Sequence, residues 1–179
     1  MPEDQQAWVA QLKARDEGAV RELVRSYGGP LVRFLTGMLG SSADAEDLAQ
    51  ETFVRLVEHV GDFRGEASLK TYLFKIAHNL ALNHLASAAH RYEVLPEEMP
   101  DRPSHAPGPA QLLSASEDAE RVRALLPGLP PQQRAVVVLR AWQDLSFKEI
   151  ASALSLAEGT AKAHYFFALR NLRRMMEVP

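Results

Sequence analysis

Proline placement constrains this chain more than any other feature. From Ala7 to about His90 the only proline is Pro30, while Glu93 to Pro109 holds a dense cluster of them. Between Trp8 and Leu39 the apolar residues recur at three and four (Trp8, Leu12, Val20, Leu23, Val24, Tyr27, Leu31, Phe34, Leu35, Leu39), a helical and not a strand period. Helical periodicity returns at Asp118 and runs to Met176. The expectation is an all-α protein of two small helical domains, residues 1–92 and 119–179. Residues 93–118 form a flexible, acidic, Pro-rich linker between them. A linker of that length has a root-mean-square span of roughly 25–30 Å and a full reach of roughly 80 Å.

Charge follows the same division. The net charge of −3 resolves into −2 over residues 1–92, −5 over 93–118 and +4 over 119–179. The basic C-terminal third permits nucleic-acid contact, but a net-acidic whole is a poor autonomous DNA binder. With no cysteine there is no disulfide, thiolate metal site or cysteine nucleophile. No Gly-rich phosphate loop or Ser-His-acid arrangement can be placed, and His78, His84 and His90, six apart, spread around a helix as surface histidines. The expectation is therefore a non-enzyme without metal or cofactor. The acidic start, Met1-Pro2-Glu3-Asp4, and the absence of a long apolar run point to a cytoplasmic protein not inserted in a membrane.

Three segments carry chemistry. After Gly40, a C′ candidate, a helix capped from Ser41-Ser42-Ala43-Asp44 buries Ala45, Leu48, Ala49, Thr52, Phe53, Leu56, Val57 and Val60. Its other side is acidic, and residues 44–63 hold six acids against Arg55 alone. Acids in the first turn suit the helix dipole, so the pattern fits either a solvated face or a dock for a basic partner. The next helix begins near Leu69 behind the N-cap candidate Ser68. It buries Leu69, Leu73, Ile76 and Leu80 and offers Lys70, Thr71, Tyr72, Lys75, His78, Asn79, Asn83 and His84 outward. That surface fits phosphate and unpaired-base contacts or a plain solvated face. The third segment is a helix-turn-helix. A helix opens at Pro130-Pro131; then Ser146-Phe147-Lys148-Glu149 reads as a capping box, with Ile150, Ala151 and Leu154 buried, and Ser155-Leu156-Ala157-Glu158 reads as a second. Glu158, Gly159, Thr160, Lys162, Ala163 and His164 would lead the recognition helix into the major groove. Tyr165, Ala168 and Leu172 suit the core; Phe166 and Phe167 cannot both be buried by that stripe, and the ring left over is expected to pack against the helix begun at Gln132, the alternative being an exposed ring that stacks or meets a partner.

In combination these segments resemble a bacterial sigma factor of the extracytoplasmic-function group. Asp44-Ala-Glu-Asp-Leu-Ala-Gln-Glu-Thr-Phe53 looks like the family's core-binding helix in region 2, and Phe63 to Leu82 like its promoter-melting, minus-10-reading segment. Leu129-Pro-Pro-Gln-Gln-Arg-Ala-Val, Leu145-Ser-Phe-Lys-Glu-Ile-Ala and Glu158-Gly-Thr-Ala-Lys162 look like its region 4. The resemblance spans about residues 7–92 and 119–175. It implies a promoter-specificity subunit that starts transcription of a stress- or signal-responsive gene set. Its partners would be core RNA polymerase, promoter DNA and an anti-sigma protein. Asp44, Asp47, Leu48, Gln50, Glu51 and Phe53 would dock on polymerase; Arg64, Ser68, Lys70, Thr71, Tyr72, Lys75, Asn79 and Asn83 would open and hold the minus-10 strand. Ser146, Lys148, Glu158, Gly159, Thr160, Lys162, His164, Arg170 and Arg173 would meet the minus-35 element. The chain departs from the family where His164, Phe167 and Leu169 stand in place of common arginines and Ala163 in place of a frequent serine. Those departures leave open a sigma-like protein with weakened DNA reading. The bare helix-turn-helix leaves open an autonomous regulator.

Overall fold

A computed structural model describes residues 3–94 and 117–177, with side chains over 5–89 and 119–177. The N-terminal unit holds α1 (Glu3–Lys13), α2 (Glu17–Leu39), α3 (Ser42–His59) and α4 (Leu69–Val94). Asp16 caps α2 by accepting the Ala19 N–H at 2.8 Å. The same helix ends at Gly40, whose φ of 73° is the left-handed conformation expected of a C-terminal glycine. Ser41 caps α3 and Ser68 caps α4, the latter accepting the Thr71 N–H at 3.0 Å. Leu23, Leu31, Phe34, Leu35, Met38, Leu56, Leu69, Leu73 and Phe74 are fully buried, and Phe34 meets Phe74 edge-on at 5.3 Å.

The C-terminal unit holds α5 (Glu117–Leu125), α6 (Pro131–Trp142), α7 (Phe147–Leu154) and α8 (Glu158–Met176). Ala135 to Leu139 are all buried, because α6 lies between α2 and α8. That enclosure holds a valine run helical against its strand preference. The capping box at Ser146 and Glu149 forms in full. The second one does not: Ser155 instead takes the left-handed C-cap of α7, with φ 55°, and Ala157 opens α8 without a side-chain cap.

The expected linker falls largely on residues 95–116, outside the described residues, while α4 runs to Val94 and α5 starts at Glu117. The two units share one apolar core, through α2 against α6 and α4 against α7. Gly37 lets α2 and α6 approach closely: a Cβ there would come within 2.9 Å of Trp142 and 3.0 Å of Val138. Arg134, 6% exposed, donates to the Met38 carbonyl across this junction and to those of Pro127 (2.6 Å) and Leu129 (3.0 Å) within its own unit. Gln143 donates to the Pro30 carbonyl at 3.0 Å, and Lys70 Nζ donates to the Gln143 carbonyl at 2.6 Å.

Candidate functional site

Three surfaces carry the residues singled out from the sequence. On α3, Ala45, Ala49, Thr52 and Leu56 face the core, which turns Glu46, Asp47, Gln50 and Glu51 to solvent. Thr52 hides its hydroxyl by donating it to the Leu48 carbonyl at 2.6 Å. Glu51 is paired with Arg55 at 2.6 Å and Asp44 lies 3.8 Å from His84 Nε2, so Asp47 and Gln50 form the unencumbered centre of the face. Leu48 and Phe53 are partly buried and packed on the core, and bound the face without projecting from it. Sequence periodicity overlooked Val54, 55% exposed, which stands beside Gln50 and Glu51 as an apolar spot in an acidic field.

The α4 surface divides in two. Lys75, Asn79 and Asn83 are exposed at successive four-residue steps, with half-buried Tyr72 at the head of the stripe and exposed Arg64 in the preceding turn. Tyr72 leans on Phe63 at 5.1 Å, and its phenol is pushed up by burial first and by Asp62 second. The remaining α4 residues turn elsewhere. Thr71, expected on the surface, is 2% exposed and shares a 2.8 Å hydrogen bond with Ser68. Lys70 is engaged by Gln143. His78, also expected outside, is 2% exposed; neither ring nitrogen has a hydrogen-bond partner, and burial pushes its imidazole down to about 4. The reason is shared: α4 packs against α2 and α3 on one side and α7 on another, so residues outside the Leu69-Leu73-Ile76-Leu80 stripe are also covered.

In the helix-turn-helix, Ile150, Ala151 and Leu154 of α7 and Ala161, Ala168 and Leu172 of α8 are buried. Ser146 and Glu149 are occupied with each other, and the Ser146 hydrogen bonds are the main reason the Glu149 carboxyl lies below its ordinary value. Lys148, Glu158, Gly159, Thr160, Lys162, Arg170 and Arg173 are exposed and His164 is half-buried. Glu158 pairs with Lys162 at 2.7 Å, a bond that lowers its pKa. Tyr165 is half-buried and packs edge-on against Phe147 at 5.5 Å, in keeping with a core role. Phe166 and Phe167 do not pack on α6: they are 64% and 40% exposed, because α6 meets the arc of Ala161, Ala168 and Leu172 and both rings lie on the far side. No grouping of three potential metal ligands occurs among the described residues. No described helix is long and apolar enough to cross a membrane.

The sigma-70 region 2 family model matches residues 23–91 and the sigma-70 region 4 model residues 119–172. The chain is 33% identical over 153 residues to the ECF RNA polymerase sigma factor SigE of Mycolicibacterium smegmatis, covering 85% of this chain and 59% of that protein. It is 31% identical over 169 residues to the ECF sigma factor BldN of Streptomyces coelicolor, with 94% and 64% covered. With the sigma factor YlaC of Bacillus subtilis it shares 31% identity over 144 residues, with 80% and 82% covered. The chain thus spans about three fifths of the length of SigE and BldN. Its fold is similar to that of CnrH, solved in complex with the cytosolic domain of CnrY (TM-score 0.70, 21% identity, 97% of both chains). It is also similar to RpoE of Bartonella quintana, solved with the anti-sigma factor NepR (TM-score 0.71, 23% identity, 88% and 96%).

Proposed function

The chain belongs to the sigma-70 family, within its extracytoplasmic-function group, and from that premise we propose that it is a promoter-specificity subunit of RNA polymerase. It acts in the cytoplasm by binding and strand opening, not by catalysis. The observation that carries this reading is the exposed acidic face of α3, centred on Asp47 and Gln50, in the same unit as the exposed Lys75-Asn79-Asn83 stripe of α4. One face suits a basic protein partner and the other a nucleic-acid strand. A chain of net charge −3 then holds promoter DNA largely through the polymerase it rides on.

Asp44, Asp47, Leu48, Gln50, Glu51 and Phe53 form the polymerase dock. Arg64, Tyr72, Lys75, Asn79 and Asn83 hold the minus-10 strand, and Ser68 and Thr71 support them by capping α4. Region 4 meets the minus-35 element through Lys148, Gly159, Thr160, Lys162, Arg170 and Arg173, which are exposed on α7 and α8, with Glu158 and His164 at the flank. Lys70 reaches DNA only if α7 and Gln143 leave its side of α4, so simultaneous use of both elements requires the two units to part. An anti-sigma protein is the natural antagonist, as NepR is the partner with which RpoE of Bartonella quintana was solved.

The test is co-elution with bacterial core RNA polymerase, wild type beside an Asp47→Arg, Glu51→Arg double variant. Both residues are exposed, so the variant folds and its co-elution is lost. If neither protein binds core polymerase while wild type alone retards duplex DNA, the chain is an autonomous helix-turn-helix regulator.

A further inference from the structure

The outward face of α8 has an unusual chemistry for a helix directed at DNA. Its inward face is set by Ala161, Ala168 and Leu172, all buried. At 100° per residue, Gly159, Ala163, Phe166, Arg170 and Arg174 fall within about 40° of the opposite direction and Phe167 about 60° from it. All six are exposed. The first three turns of the recognition helix therefore present small or apolar groups at their centre. Cations surround this centre: α8 carries Lys162, Arg170, Arg173 and Arg174 against the single acid Glu158, which is already paired with Lys162.

The two rings are held. They meet edge-on at 5.7 Å, and the Arg170 guanidinium stacks over Phe167 at 5.0 Å. A major groove about 12 Å wide admits an α-helix, and Phe166 stands eight residues, about 12 Å along the axis, beyond Glu158. The apolar group that the major groove offers is the C5-methyl of thymine. A cationic rim suited to phosphates around an apolar centre suited to methyls fits one ligand: duplex DNA with thymines in the groove.

We propose that Ala163, Phe166 and Phe167 are specificity-determining residues that read thymine methyls in the upstream promoter element, with Arg170 positioning the Phe167 ring. This rests on the assignment of α8 to the minus-35 element and adds what the helix reads there.

The experiment uses full-length protein bound to core RNA polymerase and a promoter pool randomised over the upstream window. Selected sequences are enriched in thymine there, and each selected thymine is then replaced singly by deoxyuridine in synthetic duplex, which removes the methyl alone. Loss of one read methyl weakens binding about fourfold, the worth of one buried methyl group. The Phe166→Ala, Phe167→Ala double variant, still bound to core polymerase, binds thymine and deoxyuridine duplexes equally; Phe166→Leu keeps part of the preference. If an upstream sequence is selected but deoxyuridine duplexes bind as tightly as thymine ones, the minus-35 assignment stands and the methyl reading is overturned. If the window stays random while the downstream element is selected, the minus-35 assignment itself fails and carries the proposal with it. If the double variant no longer associates with core polymerase, the rings contact protein and the proposal is overturned.

Discussion

The α4 and α8 helices both carry the polar patterning of a DNA-facing helix, yet the fold uses them in opposite ways. α4 is enclosed by α2, α3 and α7, so Thr71 and His78 are buried and Lys70 is tied to Gln143. α8 is buried along one stripe only, and even its aromatic residues Phe166 and Phe167 stand in solvent. A substitution on the enclosed side of α4 therefore acts first on the packing of the two units, and one on the outward face of α8 acts first on what the molecule binds. The junction between the units is the place to break that contrast.

Arg134→Ala is the most disruptive single change expected. It removes a buried guanidinium and strands the carbonyls of Met38, Pro127 and Leu129. A loss of about 3 kcal/mol follows, read as a lower urea midpoint; an unchanged midpoint would mean the junction is not formed in solution. A pH titration of stability gives an effect of similar size. The buried His78 imidazole titrates at about 4 in the folded protein, against about 6.5 when free. As pH falls through about 6.5 the unfolded chain takes up a proton that the folded one excludes. Stability is therefore full above about pH 6.5 and is lost between there and about pH 4, by up to about 3 kcal/mol. His78→Leu flattens this slope, and an equally steep slope in that variant would assign the loss to other groups.

Gly37→Val forces a side chain into the close approach of α2 to Trp142 and Val138. It costs about 1–3 kcal/mol and lets the units separate, which scattering records as a larger radius of gyration; an unchanged radius would show that the units remain joined through α4 and α7. Lys75→Ala, on the exposed stripe of α4, is the mildest. It changes stability by less than about 0.5 kcal/mol but removes close to one unit from the salt slope of promoter binding. A salt slope like that of wild type would take Lys75 off the DNA.

Some elements could be placed from residues alone because their signals are local. Ser41, Ser68 and Ser146 satisfy N–H groups within the next turn, and Gly40 takes a backbone conformation that a side chain disfavours. The acidic face of α3 was equally accessible, since the apolar spacing from Ala45 to Leu56 determines which residues remain outside. The second capping box failed because Ser155 was claimed by the end of α7 before it could open α8. Two nearby helix ends compete for one residue, and pattern cannot rank them.

Residue spacing alone was enough to read an all-helical fold, the order of its helices, the two family regions and the sign of each surface, because those signals lie within a turn or two. Packing decided which side of α4 is free, that Arg134 and Gln143 join the units, that His78 is enclosed and that Phe166 and Phe167 are not. Those outcomes depend on what packs against a helix from a distance of up to about a hundred residues, as in the reach from Pro30 to Gln143. A periodic pattern tells how many faces a helix could bury, but burial itself belongs to the neighbour that removes water from that face.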